Sequence, residues 1–249
     1  MNPTQGVLGE AWKHYKAHWR HLLAIAFVVY LIVALANLLL VAALTWLGVV
    51  IGIVVSVVGL FWVQGALTEA VNDIRDGRAD LTLGQTFNRV RPQLGSIVVA
   101  GLLAGLGIGI GLILLIVPGL VLLTWWVLII PVIVLEQTSA GTAFSRSREL
   151  VRGYGWSVFG VILLTILIVI GFNIVLSILL IPVAGWLRSF LSNVVSGTIT
   201  TPFIALAWTL LYFRLRAAKE QAAAQPAAEP PPPAEPPPPS EPPPPSAPD

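Results

Sequence analysis

The chain has no cysteine, a single methionine and very little charge. Without cysteine, disulfides, thiolate-bound zinc, iron–sulfur clusters and thiol nucleophiles are excluded. Charged residues make up 10% of the 249 positions, where a soluble domain carries about 25%. That is too little polar surface for a water-soluble fold of this size. Chemistry is sparse too. No Ser/His/Asp set, no paired carboxylates beside a nucleophile, no phosphate-gripping loop after a strand and no zinc motif is present. The chain therefore reads as a non-enzyme without a cofactor.

What is abundant is apolar. Hydrophobic residues reach 56% and gather in six stretches, at 22–46, 49–68, 96–117, 119–135, 156–181 and 191–213. A helix rises 1.5 Å per residue, so roughly 20 residues cross a hydrocarbon layer of ~30 Å. Five stretches reach that length and the fourth is slightly shorter. The expected class is an all-α integral membrane protein with six transmembrane helices. Pro118-Gly119 reads as a tight turn between the third and fourth spans. Pro131 and Pro202 are expected to kink the fourth and sixth. The first apolar run exceeds the 7–15 residues of a signal-peptide core, so it reads as a retained helix.

The charges are divided. Residues 1–219 hold all 14 Lys/Arg and seven acids, a net of +7, whereas residues 220–249 hold five acids and no base. Thirteen of the 14 bases fall on one side of the six spans, and only Arg188 falls on the other. The positive-inside rule then places both termini in the cytoplasm of a multi-pass plasma-membrane protein. The expected layout is an interfacial segment over 1–21 and a membrane domain over 22–217, with basic cytoplasmic loops at 70–95 and 136–155. Residues 218–249 follow as a disordered, acidic, proline-rich tail. That tail repeats Glu-Pro-Pro-Pro-Pro-small, with Glu229, Glu235 and Glu241 in register. In an extended polyproline helix these acids stand about 19 Å apart on one edge. A solvated spacer is the favoured reading, and a protein partner docking on the tail is the alternative. Nucleic acid is a poor partner, because no soluble basic domain exists to present to it.

A weak threefold repeat precedes the spans. The segments are Gly9-Glu-Ala-Trp12-Lys-His14-Tyr-Lys16, Gly84-Gln-Thr-Phe87-Asn-Arg89-Val-Arg91 and Gly141-Thr-Ala-Phe144-Ser-Arg146-Ser-Arg148. Each places an aromatic three residues after glycine and basic or imidazole groups two and four residues further on. Trp19, Leu94 and Val151 follow the aromatics at seven residues, two helical turns away. Each segment reads as a short amphipathic helix in the membrane interface, aromatics inward and bases outward. Three copies of short helix plus hairpin all share one orientation, which counts against the inverted repeats of many transporters.

Lys13, Lys16, Arg89, Arg91, Arg146, Arg148 and Arg152 are accordingly the candidate contacts for anionic lipid at the cytoplasmic face. Glu69 and Glu136 end the second and fourth spans, where interfacial arginines can pair with them. Asn37, Gln64 and Asn173 are the deeper polar groups, candidates for an intramembrane polar site or for plain interhelical hydrogen bonds. Gly101, Gly105 and Gly109, with Gly107 and Gly111 on a neighbouring line, form a small-residue stripe suited to close packing. Glu10, His14, His18 and His21 share one helical face. Four groups on one straight helix cannot surround an ion, and Lys13, Lys16 and Arg20 would repel it, so the stripe reads as a solvated face.

The run Val134-Leu-Glu136, then Gly141-Thr-Ala-Phe144-Ser-Arg146-Ser-Arg148-Glu-Leu150-Val-Arg152-Gly153-Tyr-Gly-Trp156, resembles the signature of a loose group of bacterial membrane proteins. That group includes the membrane domain attached to some glycerophosphoryl diester phosphodiesterases. The resemblance covers about residues 1–217 but rests on hydropathy outside this run. It implies a six-helix membrane fold, and the catalytic domain of those relatives is missing here. Two functions remain: a membrane scaffold or lipid-associated accessory protein, or a transporter or channel for a small solute.

Overall fold

The structure is a computed structural model that describes residues 2–75, 81–183 and 185–224. Every regular element among the described residues is helical: α1 Val7–Arg75, α2 Leu83–Val90, α3 Leu94–Leu114, α4 Ile116–Trp126, α5 Ile129–Glu136, α6 Ala140–Val151, α7 Gly155–Leu179 and α8 Gly185–Ala224. A single 3-10 turn, Arg91–Gln93, joins α2 to α3. Five helical stretches are long and apolar enough to cross a membrane: Val7–Arg75, Leu83–Leu114, Ile116–Glu136, Gly155–Leu179 and Gly185–Ala224. The protein is a multi-pass, membrane-embedded helical bundle.

Helix α1 is not straight. It bends at His18 (φ −120°, ψ 21°) and folds back at Thr45 (φ 49°, ψ −121°). The fold-back makes residues 19–44 and 46–75 an antiparallel hairpin, with Gly48 against the Leu40 carbonyl and Gly59 against Val33. Only glycine allows such contact, since a Cβ at Gly48 would lie 2.0 Å from the Leu40 oxygen. Asn37 Nδ2 donates to Ser56 Oγ across the same seam at 3.0 Å.

The second hairpin joins α3 to α4. Its reversal lies at Leu115, which is fully extended (φ −155°, ψ 128°), three residues before the expected Pro118-Gly119 turn. Pro118 instead occupies the first turn of α4, where a missing N–H costs nothing. Gly119 carries the close approach, its position backing on Leu112 and on Gly111. The glycine stripe of α3 is also sorted differently from the expected lines. Gly101 faces the Phe61 ring, Gly107 faces Trp126 and Gly111 faces Gly119, whereas nothing lies within 4 Å of Gly105 or Gly109.

Pro131 breaks the fourth apolar stretch into α4 and α5 across Val127 and Leu128. Proline lacks the N–H that would bond the carbonyl four residues earlier, and its ring crowds that turn. Ser147 of α6 fills the break: its Oγ donates to the Trp125 carbonyl at 2.6 Å and accepts from Leu128 N at 3.3 Å. Pro202 does not break its stretch, and α8 runs through it as one helix. Tyr15 Oη donates to the nearby Ile199 carbonyl at 3.1 Å. α8 also continues to Ala224, so residues 218–224, expected to be tail, are helical. The proline repeat itself lies outside the described residues.

The third hairpin is α7 and α8. Asn173 Oδ1 accepts from Ser196 Oγ at 2.6 Å, and Arg188 Nη2 donates to the Ser177 carbonyl at 3.3 Å. The common core forms where the long helices meet the short ones. Leu22, Ile25, Leu67, Ile97, Leu128, Ile133, Leu150, Ile162, Leu206, Leu211 and Tyr212 are fully buried there. Toward the three reversals the long helices expose leucine, isoleucine and valine over most of their surface, as a lipid solvent permits.

Candidate functional site

One end of the molecule collects the chemistry. It carries residues 7–17 of α1, all of α2 and α6, and the polar ends of the long helices. α2 starts with a capping box: Gln85 N donates to Thr82 Oγ1 at 3.3 Å, and Thr82 N donates to Gln85 Oε1 at 2.9 Å. The Asp73 carboxylate also accepts from Leu81 N at 3.2 Å. α6 is capped by Ser139, whose Oγ accepts from Thr142 N at 3.4 Å. These caps satisfy the orphan amides of a first turn.

Each short helix seats its aromatic on a long helix. Trp12 lies edge-on to Phe203 at 6.4 Å, Phe87 edge-on to Trp62 at 5.5 Å and Phe144 edge-on to Trp126 at 5.0 Å. The residue just before each aromatic is fully buried: Ala11, Thr86 and Ala143. Only small side chains fit there, and that shared smallness is a signal the aromatic-and-base reading passed over. The seventh-position match is less regular. Val151 is buried, Leu94 is half-buried, and Trp19 is 50% exposed because the His18 bend turns it away from the first short helix.

An ion pair then closes each seat. Arg89 Nη1 meets Glu69 at 3.0 Å and Arg146 Nε meets Glu136 at 3.1 Å. In the first segment the charges are exchanged: Glu10 sits on the short helix and Arg214 on α8, at 2.5 Å. Arg214 also donates to the Pro3 and Gln5 carbonyls, tying the first residues to the end of α8. Around Glu136 the network widens, with Tyr212 Oη donating to it at 2.9 Å and Arg216 Nη1 donating to Tyr212 Oη at 3.3 Å. Arg146 is held above its ordinary pKa. Burial pulls it down, but hydrogen bonds to Glu149 and Glu136 outweigh that. Hydrogen bonds to Glu220 and Tyr212 push Arg216 up as well.

The seven candidate lipid contacts thus divide. Arg89 and Arg146 are committed to carboxylates. Lys16 stands 5.8 Å from the Trp12 ring centroid and Arg148 stands 4.2 Å from that of Trp125, cations on aromatic faces with their outer side exposed. Among the described residues Lys13, Arg91 and Arg152 make no side-chain ion pair and are exposed. All seven lie on the short-helix end. Trp12, Trp19 and Trp156 are exposed at this end, and Trp46 and Trp186 near the opposite one, as two aromatic belts at membrane boundaries would require.

The three polar intramembrane candidates are not brought together. Asn37 is bonded to Ser56 within the first hairpin and Asn173 to Ser196 within the third. They line two different clefts, and Gln64 lines neither. The histidine stripe is interrupted at the His18 bend, the Glu10 carboxylate is engaged by Arg214, and His14 stacks on His18 at 6.3 Å. No cluster of three or more metal-ligating side chains occurs among the described residues.

No described protein family matches the chain, and neither a curated protein nor a solved structure does.

Proposed function

We propose that the chain is a lipid-associated membrane scaffold of the cytoplasmic membrane, with six transmembrane helices built as three copies of short helix plus hairpin. Both termini lie in the cytoplasm, and it is not an enzyme. The observation that carries this reading is the basic end of the molecule. Three short helices are each seated by an aromatic and latched by an ion pair, with cations left over on the open side. Counting α1 as two crossings at its Thr45 fold-back and joining α4 to α5 gives six. The partners run in a cycle that supports three copies: the second short helix sits on residues 62–69, the third on 126–136, and the first on 203–214 at the far end of the chain. Kinship with the membrane domains attached to glycerophosphoryl diester phosphodiesterases belongs to the same proposal and rests on the 134–156 run.

The leftover cations point at anionic headgroups. A basic residue beside an anionic leaflet is worth ~1 kcal/mol, so Lys13, Lys16, Arg91, Arg148 and Arg152 together hold such lipid firmly without disturbing the latches. The test is native mass spectrometry of protein extracted gently from its own membrane. The wild type should retain anionic phospholipid, and the quadruple variant Lys13→Gln, Lys16→Gln, Arg91→Gln, Arg152→Gln should lose most of it while staying folded. Equal retention by both would overturn the reading.

A further inference from the structure

The two halves of the membrane domain are built differently. In the half bearing the short helices, long apolar side chains from all three hairpins are fully buried, among them Ile25, Leu67, Ile97, Ile133, Ile162 and Leu206. Toward the reversals the buried positions of the first two hairpins are mostly glycines that let two arms touch, Gly48, Gly52 and Gly59 in the first and Gly111 and Gly119 in the second, while the third buries only Leu176 and Val194 there. Polar contacts there also stay inside one hairpin, as in Asn37–Ser56, Asn173–Ser196 and Arg188–Ser177. Tyr30 Oη to Thr201 Oγ1, at 2.8 Å, joins the first hairpin to α8 about midway along the span. Beyond it a cleft of about 490 Å³ separates the first hairpin from α8, lined by Asn37, Ser56, Leu60, Trp186 and Phe190.

At the packed end the short helices add width. Val90 of α2 and Ile97 of α3 both close on Gly65, although seven residues of straight helix span about 10 Å. α2 therefore turns aside instead of extending α3. α6 packs on α3, α4, α5 and α8, and its Ser147 bonds Trp125 and Leu128 midway along the fourth stretch, so it lies beside the long helices and not beyond their ends. A helix about 10 Å across occupies ~80 Å² of membrane when upright, so six crossings take roughly 470 Å² at any depth. Short helices of 11, 8 and 12 residues add about 240 Å² if upright and about 460 Å² if flat, all in one half. That half is between about one and a half times and twice as broad as the other.

We infer that the molecule is a wedge in the bilayer and concentrates in membrane whose convex leaflet is the one holding the three short helices. Convex curvature spreads that leaflet and makes room for the broad end, so the protein senses membrane curvature by shape. This rests on the scaffold reading above and gives it a physical action that needs no bound ligand.

The test uses the full chain. Because it has no cysteine, Ser246→Cys provides one dye site on the tail, which leaves the bundle from the short-helix end of α8. The labelled protein is reconstituted in giant vesicles of phosphatidylcholine, and a membrane-impermeant quencher separates molecules with tails outside from those with tails inside. Narrow tubes are then pulled outward. The tail-outside molecules should be enriched on the tube at least twofold, a bias of about 0.4 kcal/mol, and the tail-inside molecules depleted. Equal densities for both orientations overturn the wedge. Enrichment that appears only after anionic lipid is added overturns it too, because shape needs no charge. Lipid retention measured on the same preparation keeps the two readings apart: flat sorting with lipid retained sinks the wedge alone, and sorting without retention sinks the lipid reading alone.

Discussion

Replacing Ser147 by alanine tests how the fourth apolar stretch is held together. The Pro131 break frees the Trp125 carbonyl and the Leu128 amide from the helical ladder, and the fully buried Ser147 hydroxyl serves both. Alanine keeps the packing and removes both partners. Leaving one buried polar group unsatisfied costs about 1–3 kcal/mol, so two cost about 2–6 kcal/mol. Reversible unfolding in mixed detergent micelles measures this directly. A second substitution sharpens it. Pro131→Ala restores an N–H, lets the ladder close across Val127 and Leu128, and gives the freed groups helical partners. Ser147→Ala should therefore cost at least ~1 kcal/mol less in the Pro131→Ala background, a coupling typical of groups that share one network. An unchanged unfolding free energy for Ser147→Ala, or the same cost in both backgrounds, would refute the account of Ser147 as the plug of a proline break.

Other outcomes follow from single contacts. Thr45→Gly should stabilise the fold by about 1 kcal/mol, because Thr45 holds a positive φ that glycine adopts freely; a loss of stability in the same micelle assay would show the side chain is needed. Gly111→Leu should separate α3 from α4 and cost several times more than Gly105→Leu, whose position faces open space; equal costs would mean the α3–α4 contact is misplaced. Glu10→Arg and Arg214→Glu should each destabilise the N-terminal segment, and the double exchange should restore most of the loss. Backbone hydrogen exchange over residues 7–17 reads this, and no rescue would argue against the latch.

The sequence alone determined the class of this protein. Apolar runs long enough to span a bilayer, with almost no charge inside them, leave no other solvent for the chain, and five such helical stretches stand in the structure. It also announced the acid–arginine meetings at Glu69 and Glu136, because an acid at the end of a long helix and an arginine in the short helix that follows are neighbours by connectivity. What depended on the third dimension came from contacts far apart along the chain. Glu10 meets Arg214 and Trp12 meets Phe203 across some 200 residues, and no local pattern relates them. Ser147 looked like one more small polar residue in an arginine-rich segment until the Pro131 break placed two orphaned backbone groups beside it. The glycines of α3 share one composition, yet only Gly101, Gly107 and Gly111 touch a neighbour, since helix rotation is set by what packs on each face. The wedge was equally hidden. Hydropathy marks the spans without saying what packs on them, so only tertiary packing could decide which half of each helix meets protein and which half is left to lipid.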